Sequence, residues 1–227
     1  MIGSLSFFGG REGASMRELV EELRDLLQHQ SIQKGKFTLA SGDTSNYYCN
    51  TKTTTLSPKG SLLVGNVLFP LVEKLGAEAV GGLAMGALFV SAPIVYASEL
   101  HGKPIYGFAV RQKQKEHGLL ESLEESFHPS GEALLKEGRK VVVVDDVVTR
   151  GGSVLKAIKA VRAKKCDIVA VISLVDRKAG GGEKLREERL TYYPLFYTDE
   201  SGTLHVDEGT YDIARDAAEG RRAAAWR

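Results

Sequence analysis

Apolar residues recur at helical spacing in two segments near the start of the chain. The first segment follows Ser15, and Glu18 stands three residues later, as in a helix capping box. Its apolar positions are Leu19, Val20, Leu23, Leu26 and Leu27. We therefore expect a first helix to begin after Ser15. Residues 59–75 also suit an amphipathic helix, and Pro70 is expected to end or kink it.

Short apolar runs elsewhere predict strands. Residues 37–39 and 47–49 carry strand-forming side chains, and residues 105–110, 141–144 and 168–175 are apolar enough to be buried on both faces. A helical pattern over residues 153–165 separates the last two runs. Strand, helix and strand in this order form a βαβ unit, which implies a parallel sheet with a right-handed crossover. The pattern thus predicts an α/β fold with a central parallel sheet flanked by helices.

Residues 79–98 are uncharged and about long enough to cross a bilayer. Gly81, Gly82, Gly86 and Pro93 interrupt the apolar residues, so we expect a buried strand, a glycine loop and a helix rather than a membrane span. The length of 227 residues and the absence of internal repeats favour one domain. We expect a disordered leader over residues 1–14, the domain over residues 15–200 and a C-terminal tail over residues 201–227, to which the pattern assigns no role.

Charge and cysteine content narrow the classes of function. Thirty basic and 29 acidic residues give a net charge of +1. The chain therefore has no broad positive electrostatic field that would attract nucleic acid or an anionic membrane surface. We therefore expect neither partner. Cys49 and Cys166 lie in no metal-binding spacing and are too few for a disulfide framework. They are expected to be reduced thiols of a cytoplasmic protein.

The segment after the strand at residues 141–144 has the residues of a phosphate site. Asp145 and Asp146 come first, and Thr149, Gly151, Gly152 and Ser153 follow at the start of a predicted helix. Glycines let backbone N–H groups converge on an anion, and the helix start favours negative charge. The two carboxylates would repel a bare phosphate, so they need sugar hydroxyls, Mg²⁺ or both to bind. The chain contains neither GxxxxGK[ST] nor GxGxxG, which argues against a nucleotide triphosphatase and a dinucleotide site. The alternative is an ordinary turn with two solvated acids.

Residues 141–153 resemble the signature of the type I phosphoribosyltransferases, which bind 5-phosphoribosyl 1-diphosphate (PRPP). The resemblance implies the fold of that family, with a small N-terminal hood beside the sheet. It implies that Asp145 and Asp146 hold the ribose hydroxyls, alone or with a metal. It also implies that the following residues surround the PRPP phosphate: Val147, Val148, Thr149, Arg150, Gly151, Gly152 and Ser153.

A second group of residues resembles the orotate phosphoribosyltransferases in particular. A basic run after the strand at residues 105–110 is similar to that family's flexible catalytic loop, placed here at residues 111–137. The resemblance implies that the loop contacts PRPP through Arg111, Gln112, Lys113, Lys115 and His117, of which Arg111, Lys115 and His117 act in catalysis with Asp145 and Asp146. Residues 37–42, followed by Ser45, Tyr47 and Tyr48, resemble the family's N-terminal segment. Thr149 and Arg177 are the implied orotate contacts. The guanidinium of Arg177 could bind a carboxylate in a bidentate contact, with two parallel hydrogen bonds. The alternative for Arg177 is a surface ion pair with Asp176.

The family resemblance implies transfer of phosphoribosyl from PRPP to N1 of orotate, with Mg²⁺ bridging substrate oxygens, in a homodimer with shared active sites. No direct metal ligand is assigned beyond a possible role of Asp145 and Asp146. The chain departs from many members at Ala40, at Ala84 and Met85, and at Gln112, where other members have a lysine or a Tyr-Lys pair. Two alternatives stay open, namely a phosphoribosyltransferase for a purine or uracil and a non-enzymatic PRPP sensor.

Overall fold

The computed structural model describes residues 14–38, 44–112, 123–126 and 129–225. The helices are α1 (Met16–Ser31), α2 (Lys52–Thr55), α3 (Pro58–Lys74), α4 (Leu88–Leu100), α5 (Gly152–Ala163), α6 (Gly181–Glu187) and α7 (Glu208–Ala225). The strands are β1 (Ile32–Thr38), β2 (Thr44–Cys49), β3 (Ala79–Leu83), β4 (Tyr106–Val110), β5 (Leu123–Glu125), β6 (Lys140–Val148), β7 (Asp167–Asp176), β8 (Tyr192–Thr198) and β9 (Leu204–Val206).

A seven-stranded sheet forms the centre of the molecule, in the order β5-β4-β3-β6-β7-β8-β9. The five inner strands are parallel, whereas β5 and β9 pair antiparallel at the two edges. The predicted α/β fold with a central parallel sheet is therefore confirmed. In the predicted βαβ unit, β6, α5 and β7 follow one another along the chain, and β6 pairs directly with β7.

The apolar run in β6 divides the core into two layers because successive side chains of a strand point to opposite faces. Val142 and Val144 pack in the larger cluster with residues of α1, α3, α4 and α7. Val141 and Val143 pack in a second cluster with residues of α5. All four side chains are at most 1% exposed. Strand β6 thus places its carboxyl end between two covered faces of the sheet.

Helix α1 begins as predicted, whereas helix α3 differs from the prediction. Helix α1 begins with the expected capping box, in which the Ser15 hydroxyl accepts from the Glu18 N–H and the Glu18 carboxylate accepts from the Ser15 N–H. Helix α3 does not end at Pro70 but continues to Lys74. Proline removes a single helical hydrogen bond, and Pro70 is buried within a segment of α3 whose side chains are almost all buried. Packing of that segment therefore sustains the helix beyond the proline.

The residues after Asp199 belong to the packed structure. Strand β9 pairs with β8, and α7 places Tyr211, Ala214 and Ala218 in the larger core cluster. Arg17 in α1 donates to the Glu208 carboxylate at the start of α7, at 2.8 Å. Residues 1–13 of the expected leader lie outside the described residues. Within the described part of the chain, no helix is both long and apolar enough to span a membrane.

Candidate active site

Asp145 and Asp146 lie within the last residues of β6, at the carboxyl edge of the parallel sheet, where open α/β sheets bind ligands. The strand extends four residues beyond the predicted run because Val147 and Val148 still pair with Val175 and Asp176 of β7. A cleft of about 660 Å³ opens at this edge. Its lining residues are Lys52, Leu83, Ala84, Met85, Gly86, Arg111, Gln112, Asp145, Asp146, Val147 and Ser153.

The Asp146 carboxylate is fixed by contacts to both of its oxygens. Its Oδ1 accepts from the backbone N–H of Val147 at 3.0 Å, and its Oδ2 accepts from the hydroxyl of Thr51 at 2.6 Å. The ammonium group of Lys52 lies 4.0 Å from the same Oδ2. Thr51 is fully buried, whereas the Lys52 side chain is 42% exposed. Two neighbouring residues at the start of α2 thus contact one carboxylate, and only the second faces the cleft.

Asp145 is a buried carboxyl group with little to offset its charge. The described contacts supply its Oδ1 with one backbone donor, the N–H of Asp146 at 3.0 Å. Burial, together with the adjacent charge of Asp146, raises the pKa of Asp145 to about 8. A strongly shifted carboxyl group in a cleft indicates a functional site. Positive charge or hydroxyl donors from a ligand would favour its ionised form.

Gly86 lets the backbone between β3 and α4 approach the carboxylates. A Cβ atom at this position would lie 2.2 Å from Asp146 Oδ1 and 3.2 Å from Asp145 Oδ1. No side chain fits there without displacing Asp146. The main chain at Gly86 therefore forms the wall of the cleft beside both carboxylates.

The turn after β6 leads directly into α5. Gly151 has a φ of 75°, in the left-handed region that glycine tolerates, and is the N-cap residue of α5, which begins at Gly152. Ser153 lines the cleft, while the Thr149 carbonyl accepts from the Gly181 N–H at 3.0 Å. The Val148 side chain is fully buried and its carbonyl accepts from the Arg177 N–H, so neither of these groups faces a ligand. Arg150 and Gly152 are exposed at the turn.

The first residues of the basic run are in the cleft. Arg111 and Gln112 line it after the end of β4, and Arg111 forms an ion pair with Glu124 of β5. Lys113, Lys115 and His117 lie outside the described residues, as does Ala40. The structure therefore brings Arg111 and Gln112 to the carboxylate pair, while the roles of the other three residues stay predictions.

Arg177, which follows the end of β7, forms a cluster of polar side chains with residues of the β1–β2 hairpin. Its Nε donates to the Tyr47 hydroxyl at 3.1 Å, and its Nη2 donates to the Ser45 hydroxyl at 2.9 Å. The Tyr47 hydroxyl also lies 2.6 Å from Thr198 Oγ1 of β8. The structure shows these contacts in place of the alternative ion pair with Asp176, whose carboxylate instead accepts from the Lys178 N–H. The hairpin is thereby tied to the sheet as a hood.

Two residues of the site were missed by the sequence reasoning, namely Thr51 and Lys52. They flank the start of a four-residue helix, which is too short to show a periodic pattern. Thr51 and Asp146 are 95 residues apart in the chain, so no local spacing could have joined them. A lysine beside a threonine is also common on protein surfaces, and no signal in the sequence distinguished this pair.

A family model described as the phosphoribosyl transferase domain matches residues 79–189. The chain is 36% identical over 183 residues to the orotate phosphoribosyltransferase of Aquifex aeolicus, covering 79% of this chain and 96% of that protein. It is 38% identical over 186 residues to the orotate phosphoribosyltransferase of Streptomyces coelicolor, covering 82% of this chain and 96% of that protein.

Solved structures give the same result. The orotate phosphoribosyltransferase of Mycobacterium tuberculosis in complex with Fe(III) dicitrate superposes with a TM-score of 0.66 at 34% identity, covering 78% of this chain and 94% of that one. The same enzyme in complex with PRPP superposes with a TM-score of 0.62 at 31% identity, with the same coverage of both chains.

Proposed function

Because the chain belongs to the orotate phosphoribosyltransferase family, we propose that it transfers the phosphoribosyl group of PRPP to N1 of orotate. The products are orotidine 5′-monophosphate and diphosphate, and the chain is a pentosyltransferase. The observation that carries the proposal is the pair of buried carboxylates at the end of β6, which line a cleft beside a glycine turn. This arrangement suits a phosphorylated sugar.

The carboxylates and the turn bind the two halves of the phosphoribosyl group. Asp145 and Asp146 accept hydrogen bonds from the ribose hydroxyls, and the backbone N–H groups of the turn at residues 149–153 surround the 5-phosphate. The contacts of Asp146 with Thr51 and Val147 keep its carboxylate in one orientation before substrate arrives. Preorganised groups of this kind contribute to catalysis because they need not be ordered during the reaction.

Catalysis requires no covalent nucleophile. As the bond between C1 and the diphosphate breaks, positive charge grows on the ribose ring and negative charge grows on the leaving group. In this proposal, Asp145 and Asp146 stabilise the first charge. Arg111, with Gln112, Lys113, Lys115 and His117 of the loop, stabilises the second and excludes water. Removal of one such contact typically lowers the rate by about 10²–10³.

The donor set at the site fits Mg²⁺. Carboxylate oxygens are ligands that Mg²⁺ prefers, and two of them leave positions for substrate oxygens and water. The described residues contain no group of three or more side chains that would form a dedicated metal cage. Asp145 and Asp146 would therefore hold the ion together with PRPP, and the bound ion would offset the charge of the diphosphate.

Orotate is proposed to bind between the hood and Arg177. The guanidinium pairs with neutral hydroxyls of Tyr47 and Ser45 and has no carboxylate partner among its described contacts. Its charge is thus available to the carboxylate of orotate, which uracil and adenine lack. Thr149, half-buried at the end of β6, is the second proposed orotate contact.

We further propose a cytoplasmic homodimer with shared active sites. Large apolar side chains are exposed along a groove between α3 and α4, including Tyr96 at 65% and Leu100 at 40%. An exposed apolar face of this kind is typical of a subunit interface. Both cysteines are free, as expected in a reducing compartment.

The test is turnover of orotate, followed as loss of its absorbance after protein, PRPP and Mg²⁺ are mixed. We expect turnover of orotate and none of uracil or adenine under the same conditions. The double variant Asp145→Asn, Asp146→Asn should fold and show no detectable turnover. Activity on a base without a carboxylate, or full activity of the double variant, would contradict the proposal.

A further inference from the structure

Lys52 is a cationic residue of the cleft that belongs neither to the phosphate turn at residues 149–153 nor to the basic loop at residues 111–137. Among the described residues that line the cleft, the cationic side chains are Lys52 and Arg111. Arg111 is paired with Glu124. The wall at residues 83–86 contributes apolar side chains and main chain only. Of these two cations, Lys52 has the longer ion pair, at 4.0 Å from Asp146 Oδ2, and its partner belongs to the carboxylate pair of the cleft itself.

Asp146 does not need Lys52 to satisfy its hydrogen bonds. The Thr51 hydroxyl already donates to Asp146 Oδ2 at 2.6 Å, and Lys52 Nζ is 4.0 Å from that oxygen, beyond hydrogen-bond distance. An ion pair at this length with a side chain 42% exposed contributes little to stability. The ammonium group has three donors and a flexible stem, so it can turn from Asp146 towards a ligand at small cost.

The start of α2 is held rigidly enough to present this side chain. Ser31 Oγ at the end of α1 lies 2.7 Å from Thr54 Oγ1 and 3.1 Å from Thr53 Oγ1 of α2. The Asn50 N–H donates to the Ser31 carbonyl at 2.8 Å. These contacts fix the backbone of α2 relative to α1. The lysine side chain can therefore change its rotamer while the backbone of α2 stays in place.

We propose that Lys52 binds the diphosphate group of PRPP. The inference rests on the proposed function, because the 5-phosphate is there assigned to the turn at residues 149–153. PRPP has a second anionic group at C1, next to the ribose hydroxyls that Asp145 and Asp146 hold. A cation beside Asp146 that faces the cleft is placed for that group, and a charge-assisted hydrogen bond to phosphate is the contact that an ammonium group forms.

The test compares three ligands by calorimetry in the presence of Mg²⁺, without orotate. The ligands are inorganic pyrophosphate, PRPP and ribose 5-phosphate, which lacks the diphosphate. We expect Lys52→Gln to weaken binding of pyrophosphate and of PRPP about tenfold, and to change binding of ribose 5-phosphate less than twofold. Lys52→Arg should restore most of the affinity because it keeps the charge.

Lys59→Gln is the matched control. Lys59 is a similarly exposed lysine on α3, paired with Glu22 at 2.9 Å and absent from the lining of the cleft. Its variant should bind all three ligands as the wild type does. A circular dichroism spectrum like that of the wild type verifies the fold of each variant.

Several outcomes would overturn the assignment. Unchanged pyrophosphate binding by Lys52→Gln would do so, and a loss confined to ribose 5-phosphate and PRPP would place Lys52 at the ribose instead. An equal loss for all three ligands would indicate a distorted cleft. A wild-type protein that binds neither PRPP nor pyrophosphate would refute the proposed function as well, whereas normal wild-type binding with an unaffected variant refutes the role of Lys52 alone.

Discussion

Adjacent carboxylates of one strand have different environments in this protein. Asp146 is held by a buried hydroxyl and a backbone N–H, with a lysine nearby. Asp145 is 5% exposed and has a pKa raised to about 8 by burial and by the charge of Asp146. Before substrate binds, the pair therefore carries less than its full charge at neutral pH. An ionised Asp145 costs stability, which ligand binding recovers.

This cost predicts a pH-dependent effect of Asp145→Asn on stability. The unfolded carboxyl group ionises near its ordinary pKa of 3.8, and the folded one near 8. Between these values the folded state binds more protons, so the free energy of unfolding falls as the pH rises. Asparagine does not titrate, so the Asp145→Asn variant lacks this contribution to the pH dependence of stability. At pH 8 and without ligands, the Asp145→Asn variant should be more stable than the wild type by at least about 1 kcal/mol, or about 2–4 °C in Tm for a domain of this size.

Thermal unfolding of both proteins at pH 5.5 and pH 8, without ligands, measures the effect. The difference in Tm should be smaller at pH 5.5, where the wild-type carboxyl group keeps its proton. With Mg²⁺ and PRPP added at pH 8, the wild type should gain more stability than the variant. A variant that is less stable than the wild type at pH 8, or a difference independent of pH, would contradict the inferred burial cost.

At the scale of elements, Tyr47 connects the hood hairpin to the sheet, together with Ser45. Tyr47 is 5% exposed, its hydroxyl accepts from Arg177 Nε, and the same hydroxyl lies 2.6 Å from Thr198 Oγ1. The Arg177 guanidinium carbon lies 4.5 Å from the centre of the Tyr47 ring. Strands β2, β7 and β8 therefore meet at one hydroxyl group, and the orientation of Arg177 depends on it.

Tyr47→Phe should weaken orotate binding specifically. The variant keeps the ring and removes the hydroxyl, so Arg177 loses one acceptor that fixes its orientation. A hydrogen bond of a charged group contributes about 1.5–3 kcal/mol, and we expect the KM for orotate to rise about tenfold. The KM for PRPP should change less than twofold. Tyr193→Phe, which removes the hydroxyl of a half-buried tyrosine of β8 outside the lining of the cleft, is the control. Equal increases in both KM values would assign Tyr47 a general structural role.

Some elements could be predicted because their signal is local. The capping box of α1 and the four valines of β6 each lie within a few residues, and both elements form as expected. Strand β5 was not predicted because Leu-Glu-Glu has low strand propensity and pairs only through the edge of β4. The contact of Thr51 with Asp146 depends on the tertiary packing that places the start of α2 beside the end of β6, which no pattern in either segment encodes.

At the scale of the whole molecule, the two ends of the chain complete one core. Helix α7 packs Tyr211, Ala214 and Ala218 in the cluster that also contains Leu23 and Leu27 of α1. The turn before β9 contacts both α1 and the hood, because the Gly202 carbonyl accepts from the Gln28 side chain of α1 and a Cβ at Gly202 would lie 2.6 Å from the Tyr47 ring. The alanine-rich composition of α7 hid this role, since small side chains allow close helix packing but add little to an apolar pattern.

The proposed homodimer predicts that two inactive variants restore activity when mixed. Lys115→Ala removes a loop lysine, and Asp145→Asn with Asp146→Asn removes the ribose-binding carboxylates. If the loop of one subunit acts in the site of its partner, a mixed dimer contains one site with both the intact loop and the intact carboxylates. Random exchange makes half of the dimers mixed, each with one of two sites intact, so activity should recover to about a quarter of that of the wild type.

Differently tagged subunits, exchanged and then purified through both tags, allow the mixed dimer to be assayed alone. It should have about half of the wild-type activity per dimer, while each parent variant has almost none. The double carboxylate variant mixed with itself under both tags is the control for the exchange procedure. An inactive mixed dimer would show that Lys115 acts within its own subunit, because neither site would then combine an intact loop with intact carboxylates. Failure to isolate any doubly tagged protein would argue against the dimer itself.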